Sequence, residues 1–469
     1  MSWETVIGLE VHVQLKTRSK MFCACSTTFG DPPNTNVCPV CLGLPGALPV
    51  PNQAAVRLAV RAAIALDCTV HPTSVFARKN YFYPDLPKGY QISQFEQPLA
   101  TGGGVDINGK TIGVTRLHLE EDAGKSLHDR VPGMTAVDFN RCGVPLMEIV
   151  TEPDLRSSEE ARRYLTVLKQ VLEYLDVSDC NMEEGSLRVD ANLSVRRPGE
   201  PLGTKQEVKN MNSFAAVERA LDKLRDVQLT ALQAGRKIEL TTYTAREGEL
   251  RAMRVKEESH DYRYFPDPDL PPLNLVWYGI DPADERAALP ELPAAKAARF
   301  VSAYGIPTYD AGVLTANRTI AEYYEAGVRA GAAPKDVANW VMGPALQDAN
   351  ENGGVFRVAP PRLAALIALV REGVVSLQAA KGVFAEIALS DREPRAAAER
   401  LGVLQVGDTA QLGAWVDGVL AAHPEERRRY RAGEGKLLAF FTGQVMKASR
   451  GKADPKAVQD LLRAALTQD

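Results

Sequence analysis

The segment TVIGLEVHVQL, residues 5–15, decides the fold of the first part of this chain, because its apolar and polar side chains alternate at every second position. That period predicts a β-strand whose two faces meet different surroundings. Leu9 and Val11 would face a core, whereas Glu10 and His12 would face the other side. A carboxylate and an imidazole side by side are a candidate metal-binding or acid–base pair. The alternative is the solvated face of an edge strand.

Three further segments place acidic side chains or histidine on predicted strands. They are residues 114–125 with His118, Glu120 and Glu121, residues 145–154 with Glu148, and residues 186–196 with Asp190. Glu148 lies within an apolar run, and a buried carboxylate requires a partner. Strand parity favours Glu120 over Glu121 for the polar face, but both lie near the end of the strand, and the choice between them stays open.

Polar-faced strands of this kind predict one shared pocket on a single sheet. Carboxylate oxygens with few nitrogen donors suit Mg²⁺ better than zinc, and Mg²⁺ in turn indicates phosphate chemistry. The basic residues that could hold phosphates are Lys79, Lys205, Lys209, Arg254 and Arg263. Each of them, taken alone, is more often a surface charge than a ligand.

Four cysteines lie close together in the segment 23–41: Cys23, Cys25, Cys38 and Cys41. A Cys-x-Cys pair followed by a Cys-x-x-Cys pair is typical of tetrahedral zinc. Four thiolates would leave no open position for water or substrate, so the zinc would be structural. The alternatives are free thiols in a loop, or a redox pair at Cys38 and Cys41 that lacks a βαβ setting.

The whole chain has 469 residues, of which 45% are hydrophobic and 24% charged, with a net charge of −4. This composition predicts two to four globular domains, and any contact with nucleic acid would need a local basic patch. The sequence has neither an apolar run long enough to span a bilayer nor a secretory signal. We therefore expect a cytoplasmic protein, in which clustered cysteines favour metal over disulfides.

Residues 104–111, GVDINGKT, match the spacing of a nucleotide-binding P-loop. A P-loop must follow a strand and open a helix. Here Asn108 and Gly109 lie between two strand-like segments, which predicts a two-residue hairpin turn instead. ATP, if it is a substrate, would have to bind without a P-loop.

Several long strings, in order along the chain, resemble the B subunits of the bacterial aspartyl/glutamyl-tRNA amidotransferases. They include DFNRCGVPLMEIVTEPD (138–154), EEGSLRVDANLSVR (183–196) and GKLLAFFTGQVMKASRGKADP (435–455). The resemblance covers essentially the whole chain. It implies ATP-dependent phosphorylation of the side-chain carboxylate of Glu-tRNA(Gln), Asp-tRNA(Asn) or both, followed by amidation with ammonia from a partner glutaminase.

The same resemblance implies the cofactors and partners. The cofactors would be ATP, Mg²⁺ and a structural Zn²⁺. The partners would be an amidase (glutaminase) A subunit, a small C subunit and misacylated tRNA, with a non-discriminating aminoacyl-tRNA synthetase as a further candidate. The competing interpretation is a non-catalytic scaffold that docks tRNA and assembles the complex.

For the site, the resemblance implies catalytic roles for Glu10, His12, Glu120, Glu121 and Glu148. The cation ligands would be Glu10, His12, Glu121 and Glu148, to which we add Asp190, and the zinc ligands would be the four clustered cysteines. The basic residues named above are the candidates for cofactor binding. Lys79 and Lys88 are further candidates as neighbours of a phosphate or of an ammonia tunnel.

The predicted fold class is α+β. The resemblance implies that residues 1–293 form a cradle with a twisted, mainly antiparallel sheet and flanking helices. The helical patterns that follow predict an all-α domain at 294–404 and a helical tail at 405–469. Residues 424–469 carry ten Lys or Arg against six Asp or Glu. Together with the resemblance, this charge favours a tail that contacts tRNA phosphates, and the alternative is a soluble helical bundle with charged faces. Within it, Asp454 and Pro455 predict the start of the last helix.

Overall fold

Two units divide the chain, Met1–Leu292 and Pro293–Asp469. The computed structural model describes residues 2–246, 248–253, 262–405, 409–449 and 452–467. Within these ranges the first unit holds the β-strands and the second unit is helical.

The strands of the first unit are numbered in chain order. They are β1 (Glu4–Gln14), β2 (Thr69–Val70), β3 (Thr73–Ser74), β4 (Ala77–Asn80), β5 (Tyr90–Ser93), β6 (Ala100–Thr101), β7 (Gly104–Asp106), β8 (Thr111–Glu121), β9 (Lys125–Val131), β10 (Met134–Asp138), β11 (Pro145–Thr151), β12 (Leu187–Arg196), β13 (Gln206–Lys209), β14 (Thr242–Arg246), β15 (Glu249–Ala252), β16 (Phe265–Pro266) and β17 (Leu273–Asn274). Its helices are α1 (Gln53–Ala65), α2 (Ser158–Tyr174), α3 (Phe214–Gln233) and α4 (Pro282–Ala287).

The main sheet has the order β15-β14-β13-β12-β1-β11-β8-β6-β2, with β7 paired to β8. Its described pairs are antiparallel except for β13 with β14. The four strands predicted from the sequence, β12, β1, β11 and β8, are consecutive neighbours in this order. A mainly antiparallel sheet with flanking helices and a helical second unit confirms the α+β class.

One face of the sheet packs on the apolar core, and the other carries polar side chains, several of which are buried. Leu9, Val11 and Val13 of β1 are buried in a cluster that also includes apolar residues of α1, α2 and α3. Each such fully buried side chain contributes about 1.5–3 kcal/mol relative to an exposed one. Glu10 and His12 alternate with them and are only partly buried. The helices therefore cover one side, and the polar groups collect on the other.

The three flanking helices begin at residues whose side chains accept hydrogen bonds from free backbone N–H groups. Asn52 caps α1, Ser157 caps α2 and Ser213 caps α3. A cap of this kind is worth about 1 kcal/mol, so local sequence fixes where each helix starts.

The segment that resembles a P-loop is a β-hairpin, as predicted. Strand β7 pairs with β8 in antiparallel fashion, and the Ile107 N–H donates to the Lys110 carbonyl at 2.8 Å. Asn108 and Gly109 both have positive φ, 64° and 85°. Two consecutive residues of this kind form the turn that matches the twist of a hairpin, and Asn-Gly adopts it at low cost.

The second unit, Pro293–Asp469, consists of short helices. They are α5 (Pro293–Tyr304), α6 (Thr308–Leu314), α7 (Arg318–Arg329), α8 (Pro334–Trp340), α9 (Leu346–Glu351), α10 (Pro360–Arg371), α11 (Leu377–Ala388), α12 (Pro394–Arg400), α13 (Thr409–Ala422), α14 (Pro424–Arg431), α15 (Leu437–Ala448) and α16 (Pro455–Thr467). Among the described residues, no helix is both long and apolar enough to cross a membrane.

The last four helices share an apolar cluster that includes Leu412, Phe441, Val445 and Leu462. Helix α16 begins as predicted, with Asp454 Oδ1 accepting from the Lys456 N–H at 2.8 Å. The proposed boundary between residues 404 and 405 stays a prediction.

Candidate active site

Four side chains form a row across the polar face of the main sheet. Strand register pairs Arg188 of β12 with His12 of β1, His12 with Glu148 of β11, and Glu148 with His118 of β8. Residues paired directly across antiparallel strands point to the same face. The register therefore aligns two imidazoles on either side of one carboxylate.

Glu148 is the centre of this row. Its Oε2 lies 3.4 Å from His12 Nε2 and 3.2 Å from His118 Nε2. Glu120 completes the group, with its carboxylate oxygens 3.7 Å from each imidazole Nε2. The hydroxyl of Ser93 donates to Glu120 Oε2 at 3.2 Å and helps to fix that carboxylate.

The electrostatics of the group follow from its burial and from its opposite charges. Burial opposes charge on His12, but Glu148, with a smaller contribution from Glu120, raises the pKa of His12 to about 9. The pKa of His118 is also raised, against the effect of burial, by the same two carboxylates. Burial acts against ionisation of Glu148 as well, yet the two imidazoles hold the pKa of Glu148 well below its usual range.

This donor set fits a divalent cation. One donor atom each from His12, Glu120 and Glu148 lies within 4.8 Å of the others. Two carboxylates and one imidazole form an oxygen-rich set of the kind that Mg²⁺ or Mn²⁺ accepts. We infer that these three residues would hold the cation.

Glu10 and Asp190 belong to an adjacent group. They are paired across β1 and β12, and with Glu207 they form a second set of donors within 4.8 Å of one another. The ammonium of Lys209 forms ion pairs with Asp190 and Glu207, and Asn192 Nδ2 donates to Glu10 Oε1 at 3.0 Å. The single ligand set predicted from the sequence is therefore divided: His12 and Glu148 lie in the row, whereas Glu10 and Asp190 lie in the adjacent group. The positive charge of Lys209 already compensates part of the negative charge of that adjacent group.

Cation binding is expected to release a proton from His12, since a protonated imidazole cannot act as a ligand. With a pKa of about 9, His12 is mostly protonated at pH 7.5, so the affinity for Mg²⁺ should rise about tenfold per pH unit up to pH 9. Calorimetric titration with Mg²⁺ in two buffers of different ionisation enthalpy measures the released protons. His12→Asn should release about one proton fewer than the wild type. His71→Asn is the control, and an unchanged count in His12→Asn would contradict the assignment.

A cavity of about 310 Å³ opens beside the row. Cations at its walls are Lys79, Arg188 and Lys209, and acids are Glu120, Asp122 and Asp190. Although burial opposes it, the pKa of Lys79 is raised by the charges of Tyr264, Glu120 and Glu148. The ammonium of Lys79 lies 5.1 Å from the centre of the Tyr262 ring. A cavity with fixed cations facing carboxylates is suited to a phosphate-bearing substrate.

Sequence reasoning missed the pair Arg188 and Asp122. Both Nη atoms of Arg188 donate to Asp122 Oδ1, at 3.1 and 3.0 Å, and Gln14 Nε2 donates to Oδ2 at 2.8 Å. Burial opposes ionisation, but Arg188 and then Arg141 lower the pKa of Asp122. Arg188 shares strand parity with Asp190 on β12, so the alternation that singled out His118 on β8 could also have identified Arg188. Nothing in the local pattern indicates Asp122.

Glu121 lies away from the row, in contrast to the expectation that it is a ligand. Successive residues of a strand point to opposite faces, so Glu120 faces the imidazoles and Glu121 does not. The Glu121 Oε1 atom forms an ion pair with Lys88 and accepts from the Ile92 N–H at 3.0 Å. Both partners line a separate cavity of about 200 Å³ next to the cysteines. Of these two adjacent glutamates, Glu120 is the one that belongs to the candidate cation set with His12 and Glu148.

Of the remaining basic candidates, Lys205 and Arg263 are not among the residues that line the cavity beside the row. Lys205 is exposed and lines another cavity, of about 310 Å³, together with Glu10 and Asn192. Arg263 is exposed, and its carbonyl accepts from Asn80 Nδ2 at 2.8 Å. Arg254 lies outside the described residues.

The four clustered cysteines converge, with one Sγ atom from each within 4.8 Å of the others. The hydrogen bond from Cys23, assisted by Lys20, lowers the pKa of Cys41 to about 4 despite partial burial. The Cys38 N–H also donates to Cys41 Sγ at 3.2 Å. Four convergent sulfurs fit a closed tetrahedral zinc site. A metal can therefore bind in this loop.

The cysteine loop is tied to the turn that leads into β11. Met21 N–H donates to the Gly143 carbonyl at 2.7 Å, and Cys142 Sγ donates to the Cys41 carbonyl at 3.2 Å. Asn36 N–H donates to Asn140 Oδ1 at 2.8 Å. A well-ordered cysteine loop would therefore help to hold the start of β11, the strand that carries Glu148.

The mainly antiparallel sheet, with its imidazoles and carboxylates beside a cavity of mixed charge, lies in the part of the chain that matches a GatB/GatE catalytic domain. The family model of that description matches residues 5–278, and a second one, described as the GatB domain, matches residues 322–466. The chain belongs to the family of the aspartyl/glutamyl-tRNA(Asn/Gln) amidotransferase B subunits, which confirms the resemblance.

Its curated relatives match along their full length. The B subunit of the aspartyl/glutamyl-tRNA(Asn/Gln) amidotransferase from Moorella thermoacetica is 51% identical over 478 residues, which is 99% of this chain and 100% of the relative. The protein of the same name from Solidesulfovibrio magneticus is 50% identical, covering 99% of both chains. The one from Alkalilimnicola ehrlichii is 51% identical, covering 99% of this chain and 100% of the relative.

Proposed function

We propose that this protein uses ATP to phosphorylate the side-chain carboxylate of Glu-tRNA(Gln), Asp-tRNA(Asn) or both, and then passes the acyl phosphate to ammonia. The observation that carries the proposal is the convergence of His12, Glu120 and Glu148 beside a cavity walled by cations. The names of the relatives point to the same amidotransferase reaction.

The chemistry needs two displacements. In the first, a carboxylate oxygen of the aminoacyl group attacks the γ-phosphorus of ATP, the bond to the β-phosphate oxygen breaks and ADP leaves. In the second, ammonia attacks the acyl carbon, phosphate leaves and the nitrogen loses a proton. Phosphorylation is required because the oxygen of a free carboxylate is a very poor leaving group.

The residues of this chain contribute positioning and fixed charge. Lys79 and Arg188 would orient the phosphates in the cavity of about 310 Å³. Asp122 holds the Arg188 guanidinium in place, so little reorganisation is needed when the phosphate arrives. Mg²⁺ held by His12, Glu120 and Glu148 would neutralise charge on the phosphates.

A larger cavity, of about 780 Å³, adjoins the first one and offers space for the nucleoside part of ATP. Asn210 and Met211 line both cavities. The larger one also contacts Ala216 and Ala220 of α3 and Leu250 of β15, which supply apolar surface for a base. We propose that the triphosphate spans the two cavities at Asn210 and Met211.

We propose that the last helices contact the tRNA backbone. Several arginines of α14 are engaged locally, such as Arg428 with Glu425 at 2.6 Å and Arg429 with Glu434 at 2.8 Å. Four exposed lysines have no ion-pair partner among the described residues, and they are Lys436, Lys447, Lys452 and Lys456. Cations that are free of local partners are the ones that can neutralise phosphates.

The partners of this proposal are a glutaminase (amidase) A subunit that supplies ammonia, a small C subunit and the misacylated tRNA. A non-discriminating aminoacyl-tRNA synthetase is a further candidate, because it would produce the substrate. The cysteine cluster would hold a structural Zn²⁺ rather than take part in the reaction. A cytoplasmic location, where aminoacyl-tRNA is made, is part of the same proposal.

The proposal is tested with the reconstituted complex, ATP labelled at the γ-phosphate and either Glu-tRNA(Gln) or Asp-tRNA(Asn). We expect misacylated tRNA, and not uncharged tRNA, to stimulate ADP formation even when glutamine is withheld. Glutamine should then convert the accumulated acyl phosphate to the amide. The tRNA that stimulates identifies the substrate.

A non-catalytic scaffold would behave differently in the same assay. Replacement of His12 by alanine would then weaken tRNA binding and leave the tRNA-dependent formation of ADP intact. That outcome would overturn the catalytic assignment.

A further inference from the structure

Lys20 is a completely buried lysine next to the cysteine cluster, with an exposure of 0%. Its ammonium donates to the Asn36 carbonyl at 2.6 Å and to the Phe139 carbonyl at 3.3 Å. The third neighbour is Cys41 Sγ at 3.7 Å. Among the described residues, no carboxylate lies within 4.0 Å of the Lys20 ammonium, although that is the usual way to compensate a buried lysine.

The charge of this lysine requires an anion. Burying an ammonium without a counter-charge is strongly unfavourable, and two neutral carbonyls replace only part of its hydration. Of the three contacts that the ammonium makes with described residues, the sulfur of Cys41 is the one able to carry negative charge. Four thiolates around Zn²⁺ have a net charge of −2, which is itself unfavourable in a buried loop. The two costs offset each other only when the ammonium and the thiolates are present together.

The backbone holds Lys20 in position for this role. Its N–H donates to the Cys25 carbonyl at 3.0 Å, and its own carbonyl accepts from Asn52 Nδ2, which also caps α1. The Lys20 Cδ atom is packed close to Gly143, where an added Cβ would lie 3.4 Å away. The aliphatic part of the side chain therefore packs against the turn at residue 143.

We propose that Lys20 is the buried counter-ion of the metal-loaded cysteine cluster. It is a positioning residue whose ammonium offsets the negative charge of four thiolates around one Zn²⁺. This inference rests on the proposed structural zinc. The sulfur–ammonium contact acts as a partner outside the ligand set, of the kind whose loss typically weakens metal affinity by about 10- to 100-fold. Lys20 has no direct role in the transfer reaction.

The competing explanation is that Lys20 only ties two loops together through its carbonyl contacts. Asn36 belongs to the cysteine loop, whereas Phe139 belongs to the turn before β11. A neutral side chain of similar length that donates hydrogen bonds would retain part of that connection. Glutamine therefore separates the two explanations, because it can donate to a carbonyl but carries no charge.

The test measures zinc affinity in the full-length chain by competition with a chromophoric chelator. Lys20→Met and Lys20→Gln are both expected to raise the dissociation constant for Zn²⁺ by about 10- to 100-fold. Lys16→Met is the matched control, since Lys16 is exposed and pairs with Asp176 at 2.7 Å. If Lys20→Gln or Lys20→Met binds Zn²⁺ as tightly as the wild type, the counter-ion role is wrong. A wild type that binds no Zn²⁺ would instead refute the proposed zinc site.

A second measurement applies if the two variants do not fold. In a chain whose four clustered cysteines are all serine, the buried ammonium has lost its anion. Lys20→Met should then unfold at the same temperature as its serine parent or at a higher one. A lower unfolding temperature in that background means that the carbonyl contacts alone account for Lys20, and the proposal fails.

Discussion

Glu120→Gln is expected to lower the rate of tRNA-dependent phosphorylation by about 10³-fold, equivalent to ~4 kcal/mol of transition-state stabilisation. The substitution keeps the shape of the side chain and its contact with Ser93, but removes the charge that faces His12. A neutral amide is a weak ligand for Mg²⁺. The apparent Mg²⁺ requirement, measured as ADP formation against Mg²⁺ concentration, should shift to higher concentration together with the loss of rate.

The neighbouring carboxylate provides the comparison. Glu121→Gln should leave the Mg²⁺ requirement of phosphorylation unchanged, because Glu121 faces Lys88 and the Ile92 N–H instead of the imidazoles. It should lower the stability of the first unit, because it leaves the buried Lys88 without its partner. Glu152→Gln, in the exposed residue just after β11, is the neutral control. If Glu121→Gln and not Glu120→Gln shifted the Mg²⁺ requirement, the assignment of the cation set would be refuted.

Replacing Cys38 and Cys41 together by serine is expected to remove the zinc and to destabilise the first unit. Structural zinc in small peptides contributes an apparent ~10–16 kcal/mol, and a fraction of that suffices here to order a loop with little apolar content. At ~2–4 °C per kcal/mol, we expect the unfolding temperature to fall by about 10 °C. Elemental analysis measures the zinc, and a thermal scan measures the stability.

Limited proteolysis should show which segments lose their structure in the double cysteine variant. The cysteine loop contacts the turn before β11 through Met21 and Gly143 and through Asn36 and Asn140. Limited digestion of the double variant should therefore cut within residues 23–50 and near residue 140. Cys68→Ala is the control, because Cys68 is buried elsewhere and should keep the zinc content. Unchanged zinc in the double variant would exclude these sulfurs as ligands.

The two effects are distinct because they act on different parts of the same sheet. Loss of Glu120 is expected to remove a candidate ligand and to leave the fold intact. Loss of the candidate zinc ligands is expected to weaken the contacts that support the start of β11, and so to affect Glu148 indirectly. Measuring phosphorylation and stability on the same variants separates them.

The sequence by itself determined the local features. Alternation at period two identified β1, β8 and β12 and the polar face of each, because side-chain direction in a strand depends only on parity, and an apolar run that contains Glu148 indicated β11. The spacing of the cysteines, the hairpin at Asn108 and Gly109, and the capped start of α16 are likewise short-range patterns. Each needs only a few consecutive residues to be recognised.

Only the tertiary structure decided which of those residues meet. The neighbour order β12-β1-β11-β8 and its register place Glu148 between His12 and His118, and neither follows from any single segment. The same applies to the division between the two acidic groups and to the contact of Arg188 with Asp122. Contacts between segments far apart in the chain depend on strand order and register, which local periodicity does not specify.

Parity alone could favour Glu120 over Glu121, but it could not say what each would contact. The structure gives Glu121 the Lys88 ammonium as its partner and leaves Glu120 to the imidazoles. The burial of Lys20 could not be predicted from the sequence for the same reason. Its burial depends on contacts with residues far away in the sequence, such as Phe139. Burial and charge compensation are properties of the packed molecule, whereas strand faces and ligand spacing are properties of the chain.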